Sequence, residues 1–239
     1  MKKKKKICVV IPCFNVRNSI EKVIKKIDFR LINKVIIVDD CCPEKTGSYL
    51  IKKKFKNLII LRNKKNLGVG GATLTGINYA IKRNFFMIVK IDGDGQHNLS
   101  VISKFKNEIF YKNIDLCKGY RKLSLKDYKK NKMPLIRLIG AKVLTIITRI
   151  NSGKFDLEDP CHGLIGFSKR ILKKINLDKI QKNYFFEQDI ILNVIKQKGK
   201  VKQFRNEVTY GNESSKLNPI MSILPFIYYH MIHLIKKFI

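Results

Sequence analysis

Apolar runs rich in β-branched residues alternate with amphipathic stretches through the first half of the chain. Ile7 to Ile11 (ICVVI) and Val35 to Val38 (VIIV) are continuous apolar runs, the pattern of parallel strands covered on both faces. Between them Ile20, Val23, Ile24 and Ile27 recur at helical spacing, and Asn18 with Glu21 predicts an N-cap and its partner three residues on. A third strand is predicted at Leu58 to Leu61. The loop NKKNLGVGG follows, then a helix carrying Leu74, Ile77, Tyr79, Ala80 and Ile81. A fourth strand, Phe85 to Ile91, ends in DGDGQ. This alternation predicts an open α/β sheet whose ligands sit beyond the carboxyl ends of its strands.

The second half is less regular. One helix is predicted around Leu135, Ile136, Ile139, Val143, Leu144 and Ile147, and another from near Phe186 to Gly199. No internal repeat or Gly/Ser linker divides the chain, so residues 1–216 read as one continuous domain. The 19 residues from Leu217 to Ile235 contain no Asp, Glu, Lys or Arg, close to the ~20 of a spanning helix. Pro219, Pro225, His230, His233 and the closing Lys236–Lys237 favour a segment lying on a membrane over one that crosses it. Residues 217–239 are therefore expected to associate with a membrane; packing on the domain is the alternative.

Composition narrows the function. With 45% hydrophobic residues in 239, wholesale disorder is excluded. The net charge of +32 suggests a polyanionic partner, but 41 of the 50 basic residues are Lys and only 9 are Arg. Base and phosphate recognition favours the planar, bidentate Arg, and the lysines are spread along the whole chain, so nucleic acid is not the expected partner. Six cysteines show no CxxC pair, which argues against a zinc site. The apolar run after the basic start MKKKKK is too short for a signal peptide, so a cytoplasmic location with reduced thiols is expected.

Against that basic background, acids cluster at strand ends. Asp39–Asp40 follow the second strand, and Asp92 and Asp94 follow the fourth; in an α/β sheet both pairs emerge at one edge. Crowded carboxylates repel, and a divalent cation removes that penalty. Hard oxygen ligands at Asp92 and Asp94, with the carbonyl oxygen of Gln96, suit Mg²⁺ or Mn²⁺ holding a diphosphate; an Asp-Gly turn is the plainer explanation. The stretch from Asn66 to Ala72 is neither a Walker loop nor a dinucleotide fingerprint, and either a phosphate cradle or tight helix–sheet packing would explain its glycines.

PCFN after the first strand, VDD after the second, NLGVGGA before a helix and DGDGQ after the fourth stand in an order that resembles family-2 glycosyltransferases. KGYRK, MPLIRLIG, DPCHGLIGF and YFFEQD further resemble the polyprenyl-phosphate branch, the dolichol-phosphate mannose synthase-like enzymes of bacterial surface-polysaccharide clusters. The resemblance spans roughly residues 7–217 and implies a single Rossmann-like GT-A domain with a mostly parallel central sheet. It also implies an inverting, metal-dependent transfer of sugar from a nucleotide-diphosphate sugar. The acceptor would be a polyprenyl phosphate or a lipid-linked glycan, reached from the cytoplasmic face of the membrane.

On this resemblance Pro12, Phe14, Asn15, Asp39 and Asp40 would line the nucleotide pocket. Asp92 would reach the ribose or the metal, and Asp94 and Gln96 would hold the metal. Arg121 would meet a phosphate, with Ser214, Ser215 and Lys216 as a late lipid-phosphate element. Asp189 would be the base for a hydroxyl acceptor, oriented by Glu187; a phosphate acceptor needs none, being already ionised. Three positions depart from the family pattern: Val16 where an acid is usual, Cys41–Cys42 where Gly-Ser is common, and Tyr210 where the lipid-phosphate enzymes carry Arg. Two rival readings remain. A sugar-nucleotide nucleotidyltransferase would need a glycine-rich basic loop after the first strand, where PCFNVRNS stands. A basic module for nucleic acid or anionic lipid would have no need of four convergent acids.

Overall fold

The computed structural model describes residues 5–122, 135–208, 225 and 228–232. Tyr210, Ser214, Ser215 and Lys216 lie outside the described residues, as does most of the expected apolar tail.

Among the described residues seven strands form one sheet: β1 (Ile7–Cys13), β2 (Lys34–Asp39), β3 (Leu58–Arg62), β4 (Met87–Lys90), β5 (Leu116–Tyr120), β6 (Ile165–Ser168) and β7 (Val201–Arg205). Their order is β3-β2-β1-β4-β6-β5-β7. β1 to β4 are parallel neighbours, β6 runs antiparallel between β4 and β5, and β7 returns parallel to β5. The continuous apolar runs follow from this placement, because the central strands are covered on both faces. Cys8, Val10, Ile36 and Val38 face one core layer with the helices α3 (Gly68–Lys82) and α7 (Phe186–Lys196). Ile7, Val9, Ile11, Val35 and Ile37 face the other, with α1 (Arg17–Lys25) and α4 (Ile102–Tyr111). The described residues also form α2 (Thr46–Lys52), α5 (Leu135–Ser152) and the single turn α6 (Lys169–Leu172).

The predicted cap of α1 is not formed. Asn18 lies inside the helix, Val16 stands at its N-cap without a side-chain bond, and Glu21 meets the Tyr49 hydroxyl and Lys53 instead. Tertiary partners outbid the local capping pattern. The fourth strand is also shorter than its apolar run, because Phe85 and Phe86 belong to the approach to β4. The glycine stretch serves packing: a Cβ on Gly70 would lie 2.5 Å from the Gln181 carbonyl oxygen, and Gly71 N donates to Lys182 O at 2.9 Å.

The inverted strand positions the site. Parallel β4 delivers Asp92 at its carboxyl end, and antiparallel β6 begins at that same edge. Residues 159–164, which enter β6, therefore meet the residues that leave β4.

Candidate active site

Both acid pairs do emerge at one edge, since Cys13 is in register with Asp39 and Val10 with Lys90. Their carboxylates are engaged separately. Asp39 accepts from Cys42 N (2.9 Å) and Gly47 N (2.7 Å), and so caps the start of α2 from a distance. Asp40, buried, accepts from Asn63 Nδ2 (2.7 Å) and Leu67 N (3.0 Å), fixing the loop that enters α3. Pro12, Phe14 and Asn15 leave β1 beside them. Asn15 adopts a positive φ of 53° and its N–H donates to Cys42 Sγ at 3.1 Å. The Cys42 thiol also sits 3.3 Å from Thr46 Oγ1. The departure at Cys41–Cys42 keeps the two loops joined.

Asp92 is the centre of a second network. Its Oδ1 accepts from Lys90 Nζ (2.6 Å), and the same ammonium donates to Glu187 Oε1 (2.7 Å). Its Oδ2 accepts from His97 Nε2 (2.9 Å). Burial opposes the charge on Asp92, but Lys90 and His97 outweigh it and hold the carboxyl well below the usual range. Burial likewise acts against the Lys90 ammonium, and its two carboxylates override that and raise its pKa. The expected mutual repulsion of acids is thus relieved here by a buried lysine. Gly163 presses on the same carboxylate: a Cβ built there would lie 2.0 Å from Asp92 Oδ2.

Behind His97 stands His162, with ring centroids 4.9 Å apart. Leu164 N donates to His162 Nδ1, which places the neutral ring's proton on Nε2. Both remaining nitrogens, His97 Nδ1 and His162 Nε2, are buried without a hydrogen-bond partner among the described residues. Burial, then the neighbouring His97, push the His162 pKa well below its ordinary value. Stability should therefore fall with pH below about 6.5, where the unfolded chain protonates this ring and the folded one does not, at up to about 1.4 kcal/mol per pH unit. Melting temperatures from pH 7.5 to 5.5 should show that loss, and His162→Gln should flatten it. An equal acid-side slope in both proteins would place the titration elsewhere.

Two of the expected site residues have partners within the chain that their residue types do not announce. Arg121, expected on a phosphate, holds Asp159 in a bidentate pair, with Nε to Oδ2 at 2.6 Å and Nη2 to Oδ1 at 2.9 Å. Burial opposes the Asp159 charge, yet Arg121 keeps its carboxyl well below the usual range. Lys118 adds three bonds, to the carbonyls of Gly119, Glu158 and Asp159. Burial lowers its pKa to about 8. Together these cations clamp the 158–163 loop that carries His162 and Gly163. Asp189, expected as the base, is buried and accepts from Gln181 N (2.7 Å) and Asn193 Nδ2 (2.9 Å). It pins the loop before α7 to the helix, while Glu187 is the acid that joins the Asp92 network.

A hard divalent cation fits the donor set. Asp94, whose Oδ1 accepts from Gln96 N at 3.0 Å, sits with Gln96 on the turn that follows Asp92. No group of three His, Cys, Asp or Glu side chains gathers at metal distance among the described residues. Mg²⁺ is usually bound through one or two carboxylates plus substrate phosphates and water, so Asp92 and Asp94 would suffice as its protein carboxylates. Sequence reasoning passed over Lys90, His97, His162, Gly163 and Asp159, although each lies within or beside a motif it singled out. What it lacked was the pairing of β6 with β4.

Comparison with known proteins fits this architecture. The family model described as Glycosyl transferase family 2 matches residues 8–176. An uncharacterized protein of Methanocaldococcus jannaschii is 31% identical over 211 residues, 88% of this chain and 84% of that protein. A UDP-N-acetylglucosamine–dolichyl-phosphate N-acetylglucosaminyltransferase of Methanococcus voltae is 30% identical over 196 residues, 75% of this chain and 76% of that one. Among solved structures, glucosyl-3-phosphoglycerate synthase of Mycobacterium tuberculosis in complex with Mn²⁺, UDP and glucosyl-3-phosphoglycerate superposes with a TM-score of 0.66. It is 16% identical, over 99% of this chain and 81% of that one. The mostly parallel sheet with acids at its carboxyl edge is thus a GT-A fold, and the chain belongs to glycosyl transferase family 2 and is a glycosyltransferase.

Proposed function

We propose that the protein transfers a sugar, with inversion, from a nucleoside-diphosphate sugar to a polyprenyl phosphate at the cytoplasmic face of a membrane. Residues 1–216 form the transferase domain and 217–239 an apolar segment that associates with the membrane. The observation that carries the choice of acceptor is the state of the two candidate bases. Glu187 is bound to Lys90, and Asp189 is held by Gln181 and Asn193. A sugar hydroxyl must lose its proton on attack, whereas a phosphate monoester, with a second pKa near about 6, arrives ionised. The Methanococcus voltae relative, whose name specifies a dolichyl-phosphate acceptor, supports the same choice.

In this mechanism Pro12, Phe14 and Asn15 receive the nucleotide at the end of β1, with Asp39 and Asp40 shaping the loops around it. Asp94, Asp92 and Gln96 would hold Mg²⁺ or Mn²⁺ against the donor diphosphate. Held by these residues, a cation would supply neutralisation of the charge that builds on the leaving group. The acceptor phosphate oxygen forms its bond to the anomeric carbon as the bond to the diphosphate oxygen breaks, and the electron pair departs with the nucleoside diphosphate. Lys90 and His97 keep Asp92 ionised and fixed in place. Ser215 and Lys216 are proposed contacts to the lipid phosphate, and a lipid-linked glycan is the second acceptor to test.

Thermal shift with UDP, GDP, CDP and dTDP, each with and without Mn²⁺, tests the donor site. One diphosphate is expected to stabilise the protein only with metal, and Asp94→Asn should abolish that shift; shifts that ignore metal would sink the metal assignment. Asp189→Asn tests the acceptor. Transfer should fall by less than about tenfold, because a base for a hydroxyl would be worth about 10²–10⁴; a loss of that size would restore Asp189 as base and the glycan as acceptor.

A further inference from the structure

Near its carboxyl end the chain returns to the back of the candidate site, where His230 is buried. Asn151 Nδ2, in the last turn of α5, donates to the His230 carbonyl oxygen (3.2 Å) and lies 2.8 Å from its ring Nδ1. An amide nitrogen offers only donors, so Nδ1 accepts and the proton of the neutral ring sits on Nε2. Nε2 then donates to Gln188 Oε1 at 3.0 Å. That bond fixes the orientation of the Gln188 amide, whose Nε2 donates to Cys161 Sγ at 2.9 Å. Four side chains thus make one directed chain of hydrogen bonds, with Gln188 fully buried inside it. The stacked rings of Phe185 and Tyr229, 4.7 Å apart, join the same two segments.

Gln188 stands between two parts of the Asp92 network. Cys161 lies two residues before Gly163, which presses on the Asp92 carboxylate, and Gln188 itself follows Glu187, the acid bound to Lys90. We propose that His230 is a positioning residue for sugar transfer. Through Gln188 it holds Cys161, so that the loop setting Gly163 against Asp92 and the helix presenting Glu187 to Lys90 keep one relative position. Arg121 and Lys118 clamp that loop at Glu158 and Asp159 from β5 and its end, whereas the hold on Cys161 comes from α7. Without the His230 ring the buried Gln188 oxygen loses its donor, a cost that drives the amide to seek another. The amide is planar and rigid, so turning its oxygen to a new partner turns its nitrogen away from Cys161. The carboxyl-terminal segment is then part of what shapes the site. The inference rests on the reading of Asp92 as a donor-site residue, but one arm of its test needs no transfer.

His230→Ala is expected to lower kcat at least about tenfold with the donor KM within about twofold of the parent, because the groups that meet the donor remain and only their placement changes. His230→Gln, which returns a donor to the Gln188 oxygen, should recover most of that loss. Gln188→Met cuts the same relay, so adding His230→Ala to it should cost nothing further in kcat. The half-buried Cys161 gives a readout independent of transfer. Iodoacetamide labelling, followed by peptide mass spectrometry, should modify it up to about tenfold faster in His230→Ala and in Gln188→Met, the weight of one net hydrogen bond. The exposed Cys41 serves as internal reference. Far-UV circular dichroism checks folding; should His230→Ala not fold, Asn151→Ala cuts the relay at its other end and should give the same two changes, smaller. The inference is overturned if His230→Ala keeps the kcat of the parent, if KM rises with kcat unchanged, if Cys161 is labelled no faster, or if the kcat losses of His230→Ala and Gln188→Met add. Asp94→Asn separates the two readings: transfer that survives it means that the donor-site reading has failed, and Cys161 labelling then decides the relay alone.

Discussion

Gly163→Ala is expected to lower sugar transfer about 10²-fold, the cost of misplacing a reacting group by about 1 Å. The added methyl would stand 2.0 Å from Asp92 Oδ2 and 2.8 Å from Lys90 Nζ, closer than any non-bonded approach. Gly163 does not have a positive φ, so alanine is permitted by the backbone and the strain falls on the carboxylate. Asp92 must then turn away from His97 or from Lys90. Initial rates with the donor identified by thermal shift, beside far-UV circular dichroism, check this. A folded variant that keeps transfer within about threefold of the parent, far inside the expected loss, would show that Asp92 has no fixed position in the reaction.

Lys90→Met is expected to destabilise the protein by about 3–5 kcal/mol, the penalty for leaving buried charge without its partner. Lys90 is fully buried between Asp92 and Glu187, so its loss faces two carboxylates with no cation between them. Adding Glu187→Gln should recover a large part of the loss, because the second acid then no longer needs a counter-charge. Urea denaturation of the two singles and the double measures the coupling. Strict additivity would mean that Lys90 and Glu187 do not act as a pair. Metal affinity of Lys90→Met, read by titration of Mn²⁺ against the diphosphate-induced shift, should rise as the internal cation is removed.

The parallel half of the fold was legible because its strands are buried on both faces and therefore read as unbroken apolar runs. LCKGY, IGFS and VKQFR carry no such signal: the strands β5, β6 and β7 are four or five residues long and hold Lys, Gly or Gln among the apolar positions. Acids at strand ends were visible for a related reason, since they stand out against a basic chain. What each acid touches was not visible. Asp189 and Arg121 carry the residue types that a base and a phosphate ligand require, and only tertiary pairing shows one holding a loop and the other holding Asp159. The buried lysine at the end of β4 was hidden by composition, being one among 41.

The reversed strand has a consequence for how the chain is made. As the polypeptide leaves the ribosome from its amino end, β1 to β4 can assemble as a parallel half-sheet. β5 appears next but pairs only with β6 and β7, so it cannot cover β4. The Met87–Lys90 edge must wait until Ser168 has been synthesised, several seconds at about 5–20 residues per second. During that interval its unpaired amides form a template for any extended segment, from the same polysome or from elsewhere. Nascent chains stalled between residues 122 and 164 should accordingly be the species that chaperones hold, and release should coincide with the closing of β6 onto β4.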